Sequence, residues 1–193
     1  LDDEEEYSID VIQPEKIEFK QNSYEDGENS IISFPEFLLL VLDVCTGGEQ
    51  PASHYQPDKL IEKFDALKTY FTAGEFYEKM LYYRLLLDYY TIRRDIKDGQ
   101  GNYSLILKGP KDDSDKLKQY QSMLYVSTEA FYNWLKPYLR KLEQDELHSC
   151  AEMLAFLKKE DNERHSILPA RKDLSYKASG NIRYWFWRLD YYL

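Results

Sequence analysis

The sequence predicts a mainly all-α fold, an irregular bundle of about six to seven helices with an extended acidic N-terminal arm. Three observations predict it. Apolar side chains recur every three or four residues through most of residues 31–193, the spacing that lines one face of a helix. Glycine punctuates these runs at Gly47-Gly48, Gly74 and Gly99 to Gly101. Acidic residues crowd the start: residues 1–30 hold 11 acidic side chains against Lys16 and Lys20, whereas the other 163 residues hold 24 acidic and 23 basic ones. The net charge of −10 is thus a property of the arm, and it excludes neither nucleic acid nor protein as a partner of the domain.

Apolar residues make up 43% and aromatics 16%, with 18 tyrosines, which places the chain among globular proteins with a substantial aromatic core. Many tyrosines are expected at the core boundary, ring inside and hydroxyl outside. The chain divides into an acidic linker or arm (1–30) and a helical domain (31–193). Cys45 and Cys150 read as buried thiols of a reducing cytoplasm, with a single disulfide as the alternative. No apolar run is long enough to span a bilayer and no secretory leader opens the chain, so no membrane partner is expected and a cytoplasmic location is. The opening on Leu1 and an acidic run reads as a piece of a longer protein.

The elements follow in order. Val11-Ile12 and Ile17-Glu18-Phe19 can form a short strand or dock as an extended arm. A helix over 34–44 starts with Ser33 as N-cap and Pro35 just inside, stops at Gly47-Gly48, and is apolar nearly all round, so it is buried on most sides. Residues 56–71 form an amphipathic helix with Leu60, Ile61, Phe64, Leu67 and Phe71 on one face. Residues 75–97 carry two stripes, Phe76, Met80, Tyr83, Leu87 and Tyr90 beside Leu81, Leu85, Ile92 and Ile96, and make the expected central helix. An aspartate at Leu85 should then unfold the domain. Arg84 and Asp88, one turn apart, can pair. Tyr103–Leu107 alternates like a strand or an extended crossover, and as a strand it needs the N-terminal segment as its partner in one short strand pair. A helix over 114–126 buries Leu117, Tyr120, Leu124 and the ring of Tyr125. Thr128 caps the next helix, which buries Phe131, Leu135, Tyr138, Leu139 and Leu142 and should kink at Pro137. A helix over 145–159 follows with Leu147, Cys150, Ala151 and Leu154, then a long polar loop over 161–180. Asn181 caps the last helix, with Ile182, Trp185, Phe186 and Leu189 on one side.

No catalytic or cofactor-binding residue and no metal ligand can be named. Zinc needs three or four convergent ligands, and His148-x-Cys150 is the only close His/Cys pair; His54 and His165 lack evident partners. No nucleophile elbow or phosphate-binding glycine loop is present. No carboxylate pair sits in an apolar setting that would shift its pKa. Nucleic acid is the remaining chemistry. Residues 158–188 hold eight Lys/Arg against four Asp/Glu. Lys158, Lys159, Arg164, Arg171, Lys172, Lys177 and Arg183 surround a polar loop, with Tyr176, Tyr184 and Trp187 nearby. Cations can fix phosphates and aromatics can stack on bases, so these seven residues are the candidate DNA contacts. The competing reading is a solvated surface loop with core-spaced aromatics.

Four blocks, taken in order, carry a resemblance. Phe34-Pro35-Glu36-Phe37-Leu38-Leu39-Leu40, the run from Met80 to Arg94, Gln121 to Ser127, and Tyr184 to Tyr192 together resemble the helical region of GmrSD-type modification-dependent restriction endonucleases. The blocks span nearly all the chain past the acidic arm. In that bacterial family a ParB/sulfiredoxin-like domain with an Asp-Gly-Gln-Gln-Arg signature handles nucleotide, a His-Asn-His domain cuts DNA, and the target is foreign DNA with modified, often glucosylated, cytosine. Neither signature is here. Asp98-Gly99-Gln100-Gly101 lacks the second Gln and the Arg and lies downstream of Phe34, so it reads as a helix-ending turn and no catalytic residue carries over. The resemblance implies a helical structural and coupling domain in DNA defence, without a cofactor of its own, whose partners are the flanking nucleotide-handling and nuclease domains, with DNA as a further candidate. Alternatives are a DNA-binding module using 158–188 and an unrelated protein-interaction domain.

Overall fold

Ser33 starts the first helix as its sequence suggests. In the computed structural model, which describes residues 27–96, 102–166 and 182–193, the Ser33 hydroxyl accepts from the Glu36 amide while the Glu36 carboxylate accepts from the Ser33 amide at 2.7 Å. This reciprocal cap opens α1 (Phe34–Cys45). Gly47 and Gly48 close it, both at positive φ, where a Cβ is disfavoured. Leu39, Leu40, Val41 and Leu42 are all fully buried, so every side of the middle of α1 is covered. The central helix is therefore α1.

Residues 56–71 form a tight 3-10 turn at Pro57–Lys59, then α2 (Leu60–Leu67), then a second such turn at Lys68–Tyr70. Leu60, Phe64, Leu67 and Phe71 pack against the core, but Ile61 is left exposed. A second capping box, Thr72 with Glu75, opens α3 (Ala73–Tyr90). The expected helix over 75–97 thus ends at Tyr90, and Ile92–Ile96 forms the strand β2. Gln121 explains the break. Its buried side-chain oxygen accepts from the Ile92 amide at 2.9 Å, and its side-chain nitrogen donates to the Tyr90 carbonyl at 3.0 Å. Tyr138 donates to the same carbonyl at 3.2 Å, and the Thr91 hydroxyl takes the Leu87 carbonyl. The last helical carbonyls are met by Thr91, the Gly109 amide, Gln121 and Tyr138, so the chain can leave helical geometry without orphaning them.

β2 is the middle strand of an antiparallel sheet. On one side lies β1 (Gly27–Ser30), with Gly27 opposite Ile96; on the other lies β3 (Tyr103–Leu107), with Ile92 opposite Leu107. The expected strand pairing for Tyr103–Leu107 is corrected in its partner: β2 pairs it directly, and the N-terminal segment pairs β2 instead. Arg94 in β2 reinforces the edge by donating to the Ser30 carbonyl at 2.9 Å.

The second stripe of 75–97 is split by this change. Ile92 and Ile96 are buried in the sheet, while Leu81 and Leu85 remain on the open side of α3. The first stripe behaves as expected, with Phe76, Tyr83 and Leu87 buried, and Arg84 pairs with Asp88 at 2.7 Å.

α4 (Ser114–Val126) buries Leu117, Tyr120, Gln121, Met123 and Leu124. Thr128 does not cap the next helix. It sits at φ 64 and ends α4, with its amide on the Tyr125 carbonyl and the Glu129 amide on the Leu124 carbonyl. α5 (Phe131–Glu143) follows Ala130, with Pro137 inside it and Trp134, Leu135, Tyr138, Leu139 and Leu142 buried. The next helix also starts later than the apolar spacing suggests. Asp145 adopts φ 55 after α5, and a third capping box, Ser149 with Glu152, opens α6 (Cys150–Arg164). Its buried side is Cys150, Met153, Leu157 and Asp161, so Ala151 is exposed and the helix occupies the start of the expected 161–180 loop. Of that loop, residues 167–180 lie outside the described residues, as does the Asn181 cap. α7 (Ile182–Tyr192) packs on α4, where the Tyr191 ring meets Tyr120 at 5.0 Å between centroids, and it buries Tyr184, whereas the expected Phe186 and Leu189 are both exposed. Among the described residues there are seven α-helices and one three-stranded sheet, and no helix is long and apolar enough to cross a membrane.

Leu85→Asp is accordingly expected to leave the dilute chain folded, with a change of about 0.5 kcal/mol or less, whereas Leu87→Ala should cost about 2–5 kcal/mol. Gln121→Ala, which strands the Ile92 amide and one Tyr90 contact, should cost about 1–3 kcal/mol. Urea unfolding followed by circular dichroism checks all three.

Candidate functional site

The side chains with chemical potential lie inside this fold, where each is held by neighbours from other helices. Asp161 on α6 is fully buried. One of its oxygens accepts from the Tyr184 hydroxyl of α7 and the other from the Tyr120 hydroxyl of α4, both at 2.7 Å. Arg188 stands 3.7 Å from the carboxylate and donates to the Tyr184 oxygen at 2.7 Å. His165 lies 3.2 Å from Asp161 and 3.8 Å from Glu129, its ring stacked on Tyr184 at 4.0 Å between centroids. The network therefore spans α4, α6 and α7.

Asp43 plays the same part at the end of α1. It is fully buried and receives the Gln50 amide at 2.8 Å, the Lys136 ammonium at 3.0 Å and the Tyr55 hydroxyl. Lys136, from α5, also donates to the Gly48 carbonyl at 3.2 Å. Close by, His54 is buried, with Nε2 2.9 Å from the Leu39 carbonyl, and burial pushes its pKa down so that the neutral ring is favoured. Glu143 makes a third junction, joining α5 to α3 by accepting from Tyr83 at 2.6 Å and from Lys79.

These three junctions have one electrostatic signature. Burial, then a hydrogen bond to the carboxylate, pushes the phenols of Tyr55, Tyr83, Tyr120 and Tyr184 far above their ordinary value; Tyr138 moves the same way by burial. All five keep their protons and serve as donors. Cys45 and Cys150 are free thiols, not a disulfide, and burial raises both pKa values, which disfavours the thiolate a nucleophile needs. Among the described residues no group of three His, Cys, Asp or Glu is placed to hold a metal ion.

The candidate DNA-contact cations are dispersed in role. Lys158 lies over the rings of Tyr120, Tyr191 and Tyr192, with 5.1 Å to the Tyr191 centroid. Arg164 donates to the Asn133 carbonyl and stands 3.9 Å from Glu160. Lys159 is exposed and 3.9 Å from Glu163, and Arg183 is exposed at the start of α7. Arg171, Lys172 and Lys177 lie outside the described residues, as does Tyr176.

The open grooves are apolar. One of about 550 Å³ runs between α1, α2 and α3, lined by Phe34, Leu38, Phe64, Phe71, Tyr77 and Met80, with Lys68 as its charged group. A second of about 410 Å³ lies between α4 and α7, lined by Met123, Val126, Trp187 and Tyr191 with Lys118 and Asp190. Neither is lined by a histidine, a cysteine or a pair of carboxylates, so neither is equipped for proton transfer by these residues.

Sequence reasoning passed over Asp43 and Asp161. Both carried a signal. Asp43 is a lone acid closing the apolar run from Phe37 to Leu42, and Asp161 continues the 150, 153, 157 stripe by one more turn. A charge on a buried stripe has to be partnered, and the many tyrosines are the available partners.

No family model, curated protein or solved structure matches the chain.

The buried phenols set the response to alkali. Below the ordinary tyrosine pKa of about 10 the folded and unfolded chains hold the same phenolic protons, and the phenols leave stability unaffected. Above it the unfolded chain releases protons that the folded chain keeps, so each such tyrosine lowers stability by about 1.4 kcal/mol per pH unit. Urea midpoints should be flat from about pH 7 to 8, begin to fall near pH 9 as the unfolded chain ionises the two thiols that the fold keeps protonated, and fall steeply beyond pH 10. Tyr120→Phe and Tyr184→Phe should each cost about 1.5–3 kcal/mol at pH 7 and soften the alkaline fall. A midpoint independent of pH up to about 11 would contradict the assignment.

Proposed function

We propose that this chain is a helical structural and coupling domain without catalytic residues of its own, of the kind that links the nucleotide-handling and nuclease domains of GmrSD-type restriction endonucleases acting on modified foreign DNA. One observation supports it above the rest: the distribution of polar and apolar groups is the reverse of what an active site needs. Among the described residues Asp43 and Asp161 are sealed between helices and Glu143 is partly buried, and each holds two or three elements in fixed relation. Large apolar groups stand outside, with Phe34 at 55% and Tyr77 at 62% exposure around the groove between α1, α2 and α3. A body that is rigid within and adhesive without suits the transmission of position between neighbouring domains. The family assignment rests on the four sequence blocks. The cytoplasm, where such defence acts, is the compartment this reading places it in.

The test uses the full gene product. Phe34→Glu puts a charge on the groove at an exposed position, so the 193-residue chain should melt as before. Nucleotide-dependent cleavage of DNA bearing glucosylated cytosine should fall by at least about tenfold, a loss of about 1.4 kcal/mol in coupling. A gene product that cuts such DNA equally well with Phe34→Glu, or one lacking both catalytic signatures, would defeat the proposal. Retention of the isolated chain on duplex DNA at low salt, lost as salt rises, would favour direct DNA binding instead.

A further inference from the structure

The outer side of α3 is apolar yet largely uncovered within the chain: Tyr89 rests against Gly109 and Tyr77 borders the groove next to α1 and α2, while Leu81 and Leu85 stand open. Tyr77 and Leu81 are each 62% exposed, Leu85 68%, Tyr82 42% and Tyr89 46%. Tyr77, Leu81 and Leu85 stand one turn apart and form a straight seam opposite the buried Phe76, Tyr83 and Leu87. Tyr82 and Tyr89 border the seam on one side, and Arg84 borders it on the side towards which Tyr77 leans. A free helix surface carries charge at such positions; five large apolar groups there mark a face meant to be covered.

We propose that the cover is a second copy of this chain, packed through α3 against α3 in antiparallel fashion about a two-fold axis through Leu81. The seam is built symmetrically for that operation. Tyr77 lies one turn before Leu81 and Leu85 one turn after, so the two-fold sets each Tyr77 ring beside the smaller Leu85 of the other copy, with the two Leu81 side chains between. Arg84 and Tyr77 share one side of the seam, so the same operation brings each guanidinium to the Tyr77 ring of the other copy, a cation–π arrangement. The area is adequate. The five side chains together leave on the order of 500 Å² open, and two copies exclude about 1,000 Å², the level a specific interface requires. Lipid or nucleic acid would fit poorly, because Glu78 and Asp88 stand on the same open side and would repel phosphate.

Sedimentation velocity on the 193-residue chain tests this. At about 50 μM the mass should be twice 23.1 kDa, returning towards the single-chain value on dilution. Leu81→Glu should give the single-chain mass throughout with an unchanged helical spectrum, since Leu81 is exposed in the folded chain. Leu81→Cys should form a disulfide-linked dimer under mild oxidation, because the two-fold places the two sulfurs together, whereas Ile61→Cys, 75% exposed but off the seam, should not. A wild-type chain of single mass at every concentration would overturn the proposal and leave the face to a different protein. Survival of the dimer in Leu81→Glu, or failure of Leu81→Cys to cross-link, would overturn it as well. Tyr77 borders both the groove and the seam, but Leu81 lies outside the groove that Phe34→Glu tests, so the dimer and the coupling role fail separately.

Discussion

A carboxylate taken fully out of water has to be met by donors, and this fold is arranged around two such groups. Asp161 binds α6 to α4 and α7 through two tyrosine hydroxyls and a nearby arginine; Asp43 binds the end of α1 to α5 and to the segment carrying Tyr55. Hydrogen bonds to a charged acceptor contribute about 1.5–3 kcal/mol each, and removal of one partner leaves a desolvated charge that costs several more. A hydrophobic contact can slide; a carboxylate with two or three directed donors cannot. The helices are thereby held in one relation, and the abundance of tyrosine becomes intelligible: it supplies an apolar ring for the core and a donor for these buried acids in the same side chain.

The same logic governs the one place where the backbone changes type. Nothing in the local composition of Tyr89 to Ile96 forbids a continued helix. The helix ends because Gln121 and Tyr138, far along the chain, satisfy the Tyr90 carbonyl and the Ile92 amide. Once released, Ile92–Ile96 pairs with strands on both sides and buries its two terminal isoleucines. The sheet is a consequence of that clamp, and so is the open apolar seam on α3. Leu81 and Leu85 belong to a stripe whose continuation has been drawn into the sheet, which leaves their face free for a partner outside the chain.

Each candidate acid, base or nucleophile among the described residues is engaged: His54 with a carbonyl, His165 between Asp161 and Glu129, the thiols raised by burial. Lys158 rests on three tyrosine rings and Arg164 turns to a backbone carbonyl, so two of the proposed DNA contacts already have structural work. The surface offers aromatic grooves and a helical seam, which are features of protein contact.

The sequence by itself determined the helical class, the capping-box start at Ser33, the glycine stop after α1, the limits of α4, and the apolar faces of α4 and α5, because each rests on residues within one or two turns of each other. Tertiary structure alone decided where α3 stops, which half of its second stripe is buried, and which acids are interior. Those outcomes depend on partners 29 to 93 residues away, such as Gln121 for Ile92 and Lys136 for Asp43. Local spacing cannot distinguish an apolar stripe that meets a neighbour from one that does not, since burial is a property of the pair.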